Sequence, residues 1–395
     1  MANTLKFGNG EWAVGKETAL AYNDENGNFK PLPFTFDRAS IATVVNKQGL
    51  IETVGADEPR IDFTDNTKGA LLLEPSRTNL VTQSNNTTTT NVWSHYSYGG
   101  GLIVDTYGYD SPDGKNEASR LVYTNSSAGS GGALLTTNIT LLATGIYTIS
   151  LWAKSVSGTK EIRFSPKSTS SSGTLGSRIT LTNEWKRYTH TFTNDGGTSR
   201  GFQFRIGESE DSGDRTFDVW GMTIEQGSYA TSYIPTQGGS VTRVADFCSQ
   251  TPPDGVIGQT EGVVYCNFKI NNNPTSTRRV VIMSNGTGNE RIGISLGNNI
   301  LYAFIVDGGS TQCEIVKSSI TSGNYKCAFA YNNNDFVFYV NGSQVGTDTN
   351  GTVATCDTIE VGNQFGTSVL EGSINDIKLY NTRLSNSELA ALTQV

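Results

Sequence analysis

Charge is scarce in this chain: Asp, Glu, Lys and Arg make up 17% of its 395 residues. Lysine and arginine adjoin each other only at Lys186-Arg187 and Arg278-Arg279, and the formal net charge is -8. Binding to a phosphate backbone needs clustered cations, so a nucleic-acid partner is excluded. Long apolar runs are also missing. None approaches the roughly 18 residues that mark a membrane-spanning helix, so membrane insertion is not expected. The start, Met1-Ala2-Asn3-Thr4, shows no basic segment leading into an apolar run. No secretory signal is therefore expected, and assembly in a cytoplasm is. The chain has two histidines, His95 and His190, and no GxxxxGK[ST] stretch. Nucleotide chemistry thus lacks its usual local signature. The five cysteines, Cys248, Cys266, Cys313, Cys327 and Cys356, show no CxxC spacing, which argues against zinc and for buried thiols.

Turn formers and aromatics are abundant. There are 44 Gly, 16 Tyr and 17 Phe, while hydrophobic content is 36%. Low charge with many aromatics and many turns describes an all-β protein of short strands. Tyr147, Ile149, Leu151 and Ala153 alternate with Thr148, Ser150 and Trp152, which is strand period. Phe202, Phe204 and Ile206 repeat it, as do Phe217 and Val219 against Asp218 and Trp220. Asp335–Val340 runs into Asn341-Gly342, a pair suited to a tight hairpin turn with positive φ at both positions. Ile374–Tyr380 reads as a late strand, and Ser385 with Glu388 as a capping box opening one short helix.

The expected organisation is two tandem β-sandwich (jelly-roll) modules after a short N-terminal anchoring region. That region is 1–80, followed by a polar linker at 81–91, a module at 92–246, a stiff junction at 247–260 and a module at 261–395. Eighty residues would bury only a small core alone, so the first region is expected to anchor the protein to its partners.

Two stretches carry resemblances. Residues 336–346 (FVFYVNGSQVG) and 371–392 (EGSINDIKLYNTRLSNSELAAL) resemble the concanavalin A-like lectin/glucanase superfamily, in its laminin-G-like branch. Residues 147–155 (YTISLWAKS), 183–192 (NEWKRYTHTF), 224–236 (IEQGSYATSYIPT) and 241–246 (VTRVAD) resemble a carbohydrate-binding-module-like jelly roll of bacteriophage tail and fibre proteins. Residues 59–80 (PRIDFTDNTKGALLLEPSRTNL) are similar to the segment that precedes such modules. The resemblance implies a structural virion protein, of head-fibre, tail-fibre or decoration type. It also implies homotrimeric assembly, contact with other virion proteins and attachment to host-surface glycans. A bacterial carbohydrate-binding surface protein is the alternative. A glycan depolymerase is a third reading, disfavoured because the superfamily's Glu-x-Asp-x-x-Glu strand has no match here. The expectation is a non-enzyme that requires no cofactor.

Two clusters are candidate sites. Trp93, Tyr96, Tyr98, Tyr107 and Tyr109, with His95 among them, offer aromatic faces for stacking on a pyranose, or else for packing against another subunit. Glu208, Glu210, Asp211 and Asp214, with Asp218 and Glu117, offer oxygens for a structural Ca²⁺, which the jelly-roll resemblance supports; the alternative is a solvated acidic turn. His190 is expected to be a solvated strand residue, and Trp152, Trp185 and Trp220 to pack within the sheets.

Overall fold

The computed structural model describes all residues except 1–3, 26–27, 89–91, 98–100, 126–132, 141–143, 168–177, 195–198, 207–213 and 274. The fold is all-β, with one short helix among the described residues. It divides into a discontinuous unit (1–49, 53–76 and 244–395) and an inserted unit (50–52 and 77–243).

In the inserted unit two five-stranded antiparallel sheets face each other. One runs Gly101–Tyr109, Ala118–Asn125, Arg215–Gln226, Gly145–Ser155, Lys186–Asn194. The other runs Trp93–Ser97, Ala133–Thr140, Ser199–Ile206, Lys160–Lys167, Arg178–Leu181. The alternation read from the sequence decides which side is filled: Tyr147, Ile149, Leu151, Ala153, Phe217 and Val219 all point into the core. Residues 81–88 are not a free linker. Val81, Ser84 and Thr87 are buried, and the Ser84 carbonyl accepts from the Met222 N–H at 2.7 Å. Its polar composition serves packing, since hydroxyls and amides satisfy the backbone of a segment laid along a sheet.

In the discontinuous unit a sheet curls on itself. Starting from Ser310–Lys317, its order is Ile300–Asp307, Arg291–Gly297, Arg278–Ser284, Thr358–Val361, Phe247–Gln250, Asn28–Asp37, Thr18–Glu25 and Leu5–Gly8. It continues through Gly372–Tyr380, Glu261–Ile270, Gly323–Asn332, Phe336–Val340 and Ser343–Asp348. The two ends come together where Gly346 meets Ile315: a Cβ at Gly346 would lie 2.9 Å from its methyl carbon.

This order corrects the expected boundaries. Leu5–Gly8 pairs with the last strand, and Phe7, Phe34, Phe36, Leu71 and Leu73 belong to one core with Ile374, Ile377 and Leu379. Too small to bury its own apolar surface, the first segment completes the sandwich of the last one. The 247–260 stretch likewise contributes a strand and buries Val256 and Ile257.

Local signals held where their physics is local. Asn341 and Gly342 have φ of 49° and 78°, as the hairpin turn requires. Ser385 and Glu388 form a reciprocal capping box on the helix Asn386–Leu392. That helix seals an outer cluster of Val263, Tyr265, Ala330, Tyr380 and Leu389.

Four charged side chains of the discontinuous unit are buried together. Arg38, Arg60 and Asp246 have no exposed surface, and Glu74 is 2% exposed. Arg38 donates to Asp246 Oδ1 at 3.1 Å, Arg60 to Asp246 Oδ2 and, at 2.8 Å, to Glu74 Oε2. Asp246 Oδ2 also accepts from the Glu74 N–H at 2.9 Å. Burial alone pulls the Arg60 pKa down, but Asp246 and Glu74 together outweigh it and hold the guanidinium above its ordinary value. Asp246→Ala leaves two buried cations short of a counter-charge and should cost about 3–5 kcal/mol in urea unfolding. Glu17→Ala, in an exposed pair with Lys16, should move the midpoint hardly at all.

All five cysteines are buried and unbridged. Burial pushes Cys313 and Cys356 up to about 12 and Cys248 higher still. At these three positions thiolate is therefore scarce at neutral pH. A thiol-reactive dye at pH 8 should label none of the five in the native protein and all five after denaturation, counted by intact mass.

Candidate functional site

The five-stranded sheet bearing Trp152 has a second face, turned away from the core, on which two cross-strand rows carry aromatic and charged side chains. In the first row Thr106, Arg120, Asp218 and Lys154 are successive cross-strand neighbours. In the second, Trp220, Trp152 and Arg187 are. Period two puts them all on one face.

Arg120 donates to both oxygens of Asp218, at 2.7 and 3.0 Å, and its guanidinium carbon lies 3.8 Å from the Tyr109 ring centre. The bond to Asp218 raises the Arg120 pKa against the opposing effect of burial. Lys154 bonds Asp110 at 2.5 Å and sits 4.9 Å from the Trp185 ring centre. Trp185 Nε1 reaches the same Asp110 oxygen at 3.4 Å. The Lys154 hydrogen bond lowers the Asp110 pKa despite desolvation, with the Trp185 N–H adding to it. Arg187 lies over the Trp152 ring at 4.4 Å and donates to Ser150 Oγ at 2.9 Å. Tyr109, Arg120, Trp152, Lys154, Trp185 and Arg187 are half-buried, and Asp110 is exposed. The result is a face of flat rings edged by charged donors, suited to stacking on a ring and gripping its polar rim.

Part of this face is covered. Residues 227–236 fold over it so that Tyr233 packs on Trp220 at 4.4 Å and on Trp152 at 5.9 Å. Tyr233 bonds Ser84, and Glu225 accepts from the Thr231 N–H at 3.0 Å. Trp220 is 2% exposed, and its Nε1 finds no acceptor among the described residues. Gly221, at φ 64°, lets the strand bulge here: a Cβ would lie 2.8 Å from the Trp152 ring.

The expected aromatic cluster is not one site. Trp93 is 1% exposed, packed in the core with Nε1 donating to the Gln83 carbonyl at 3.0 Å, so it presents no face to a ligand. Its strand pairs with Ala133–Thr140 in the second sheet, and its ring belongs to the core of the inserted unit. Tyr98 lies outside the described residues, and so does the side chain of Tyr96. Tyr107 is 41% exposed beside Glu117 and Asp113; burial first, then those two carboxylates, raises its pKa. Of the expected set, Tyr109 alone among the described residues stands on the face just described. Trp185, Arg187 and Lys154 were missed as a group because they lie in two segments brought together only by strand pairing. His95 bonds Asp105 at 3.1 Å. His190 is half-buried rather than solvated, and burial lowers its pKa.

The calcium set does not assemble among the described residues. Asp218 is fully buried and neutralised by Arg120, Glu117 accepts from Asn85 at 3.1 Å, and Asp214 is exposed. Glu208, Glu210 and Asp211 lie outside the described residues. No group of three or more His, Cys, Asp or Glu gathers among those described. The described members, Glu117, Asp214 and Asp218, do not by themselves supply the six to eight oxygens that a Ca²⁺ ion wants.

Residues 78–213 match the family described as a carbohydrate binding domain, and residues 250–390 match the concanavalin A-like lectin/glucanases superfamily. The chain thus carries a carbohydrate-binding module and a concanavalin A-like domain. The second match stops short of the N-terminal strands that complete that domain, and the first stops just before Arg215–Gln226, a central strand of its sheet. No curated protein matches the chain. Among solved structures it is similar to the carbohydrate-binding module of a Ruminococcus gnavus intramolecular trans-sialidase bound to α2,3-sialyllactose, at 19% identity and a TM-score of 0.31, over 35% of this chain and 84% of that one. It is also similar to the leech intramolecular trans-sialidase, at 19% identity and a TM-score of 0.30, over 35% and 24%. A third likeness is to the binding domain of botulinum neurotoxin DC in complex with rat synaptotagmin II, at 13% identity and a TM-score of 0.32, over 38% and 39%.

Because Trp93 is core and not platform, Trp93→Phe should lower the melting temperature of the inserted unit by several degrees, read by circular dichroism. Binding to any glycan held by the Trp185 face should stay unchanged in the same variant.

Proposed function

We propose that the protein is a non-catalytic glycan-binding protein whose inserted unit grips a saccharide on the face built by Tyr109, Trp152, Trp185, Lys154 and Arg187. The observation that carries this reading is the pairing of half-buried rings with cations on one face of one sheet. A ring stacked on a pyranose contributes about 1 kcal/mol beyond the area it buries. A charged hydrogen bond to a hydroxyl adds about 1.5–3 kcal/mol. The match of residues 78–213 to a carbohydrate binding domain supports the same ligand class.

The carboxylates of the face support a binder over a hydrolase. Glycoside hydrolysis needs a protonated acid with a raised pKa. Asp110 is shifted the opposite way, and Asp218 is fully buried in its bidentate pair with Arg120.

Within this reading the protein serves as a bacteriophage appendage, a fibre or decoration that assembles as a homotrimer and displays its sandwiches to the host surface. What supports it is the resemblance of residues 59–80, 224–236 and 241–246 to phage fibre proteins. Several copies of a weak site gain avidity through effective concentration. A bacterial carbohydrate-binding surface protein accounts equally for the binding face. Detection in purified virions, with a trimeric mass in light scattering, distinguishes the two.

On a glycan array, the full chain should bind at least one saccharide class. Trp185→Ala and Arg187→Ala should each weaken that binding about tenfold or more without shifting the melting temperature by more than a degree or two. Uniform binding by both variants, or turnover of a bound polysaccharide, would sink the proposal.

A further inference from the structure

The 59–80 stretch does more than place Arg60 and Glu74 in the ion cluster. Asp62, Asp65, Asn66 and Ala70 form one wall of a pocket of about 100 Å³ inside the discontinuous unit. Lys269, Asn324, Ser373 and Asn375 form the other. Asn375 is there because of a bulge: Asn267 faces Asp376 while Phe268 faces Ile374, so Asn375 has no partner across the ladder. Its side chain joins a chain of amides. Asn66 donates to Asn375 at 3.0 Å, and Asn375 donates to Asn267 at 3.3 Å. The Asp62 carboxylate is fixed by the N–H groups of Val45 and Thr64, at 3.1 and 3.0 Å. Lys269 pairs with Asp65. Asn324 is exposed and Ser373 half-buried, and their side chains carry no protein hydrogen bond among the described residues.

We infer that this pocket binds the terminal residue of a neutral saccharide. Ala70 is its one apolar lining residue, which excludes an apolar ligand. Asp62 and Asp65 against Lys269 leave one negative charge, which repels carboxylated or sulfated sugars. A divalent cation finds only two carboxylates here, Asp62 and Asp65, and Asp65 is paired with Lys269. A cavity so polar and of this size holds several waters. Sugar hydroxyls, which both donate and accept, reproduce the bonds of the waters they displace. The amide chain holds the floor in place before a ligand arrives, so binding orders little. Ser373 and Asn324 supply the groups still free to bond. With no aromatic ring in the wall, affinity for one sugar residue is weak, with Kd on the order of 1 mM. The site stands independently of the Trp185 face, which takes its ligand by stacking.

Saturation-transfer NMR on the full chain, with glucose, galactose, mannose, N-acetylglucosamine and glucuronate as separate probes, tests this. At least one of the four neutral sugars should show transfer, and glucuronate should show less. The Asn324→Ala/Ser373→Ala double variant removes two side chains that bond nothing in the protein, so its melting temperature should not change. Its affinity for the neutral sugar should fall roughly tenfold or more. Trp185→Ala/Arg187→Ala should leave that transfer in place, even if glycan-array binding is lost. The inference is overturned by silence from all four neutral sugars, by preference for glucuronate, or by transfer undiminished in Asn324→Ala/Ser373→Ala. Loss of the transfer through Trp185→Ala/Arg187→Ala alone would overturn it too.

Discussion

The discontinuous unit depends on one carboxylate. Asp246 accepts from Arg38, from Arg60 and from the Glu74 backbone, all out of reach of water. Its donors come from before residue 77, while Asp246 itself follows residue 243. The chain leaves the discontinuous unit and returns to it, and the ion cluster fixes where it re-enters. The next strand, Phe247–Gln250, then fits between Asn28–Asp37 and Thr358–Val361. A buried ion cluster is a poor source of net stability, since removing four charged groups from water offsets most of their attraction. What it provides is selectivity: an alternative path for the returning chain would leave arginines buried beside no carboxylate.

The two candidate binding surfaces answer different chemistry with different means. On the inserted unit, rings and cations are held in rows by strand pairing, and the 227–236 segment decides how much of the aromatic surface is accessible. It buries Trp220 and Tyr233 while leaving Trp185 and Tyr109 half-open. On the discontinuous unit, a single bulge and an amide chain make a small hydrophilic recess. One surface suits the flat face of a sugar, the other its hydroxyl edge.

Features resting on neighbouring residues were legible in the sequence. The Asn341-Gly342 turn needs only its own dihedrals, the Ser385–Glu388 box only one helical turn, and the inward set from Tyr147 to Ala153 only the pleat. Features resting on distant pairing were not. Trp93 sits in a Tyr-rich, glycine-rich stretch that reads as surface, yet its strand faces Thr137 in the second sheet and its ring completes the core. Asp218 looked like one more acid near a cluster, until strand register set Arg120 beside it. The polarity of residues 81–91 suggested a linker because composition does not distinguish hydroxyls bonded to water from hydroxyls bonded within the protein, as those of Ser84 and Thr236 are. The 59–80 and 241–246 stretches each looked familiar alone. Nothing local says that Arg60 and Glu74 in one meet Asp246 in the other.

The strand Leu5–Gly8 lies against Gly372–Tyr380, at opposite ends of the chain, while the inserted unit is complete by residue 243. On a ribosome the inserted unit therefore has all its strands well before its host does. The first segment emerges with much apolar surface and must wait for more than 300 residues of synthesis to find its partner. Contacts of such long range close slowly. The order of assembly is thus written into the connectivity: the inserted sandwich first, and its host only once Gly372–Tyr380 has been made. Until then the exposed edges of the first hairpin are open to pairing with another nascent copy.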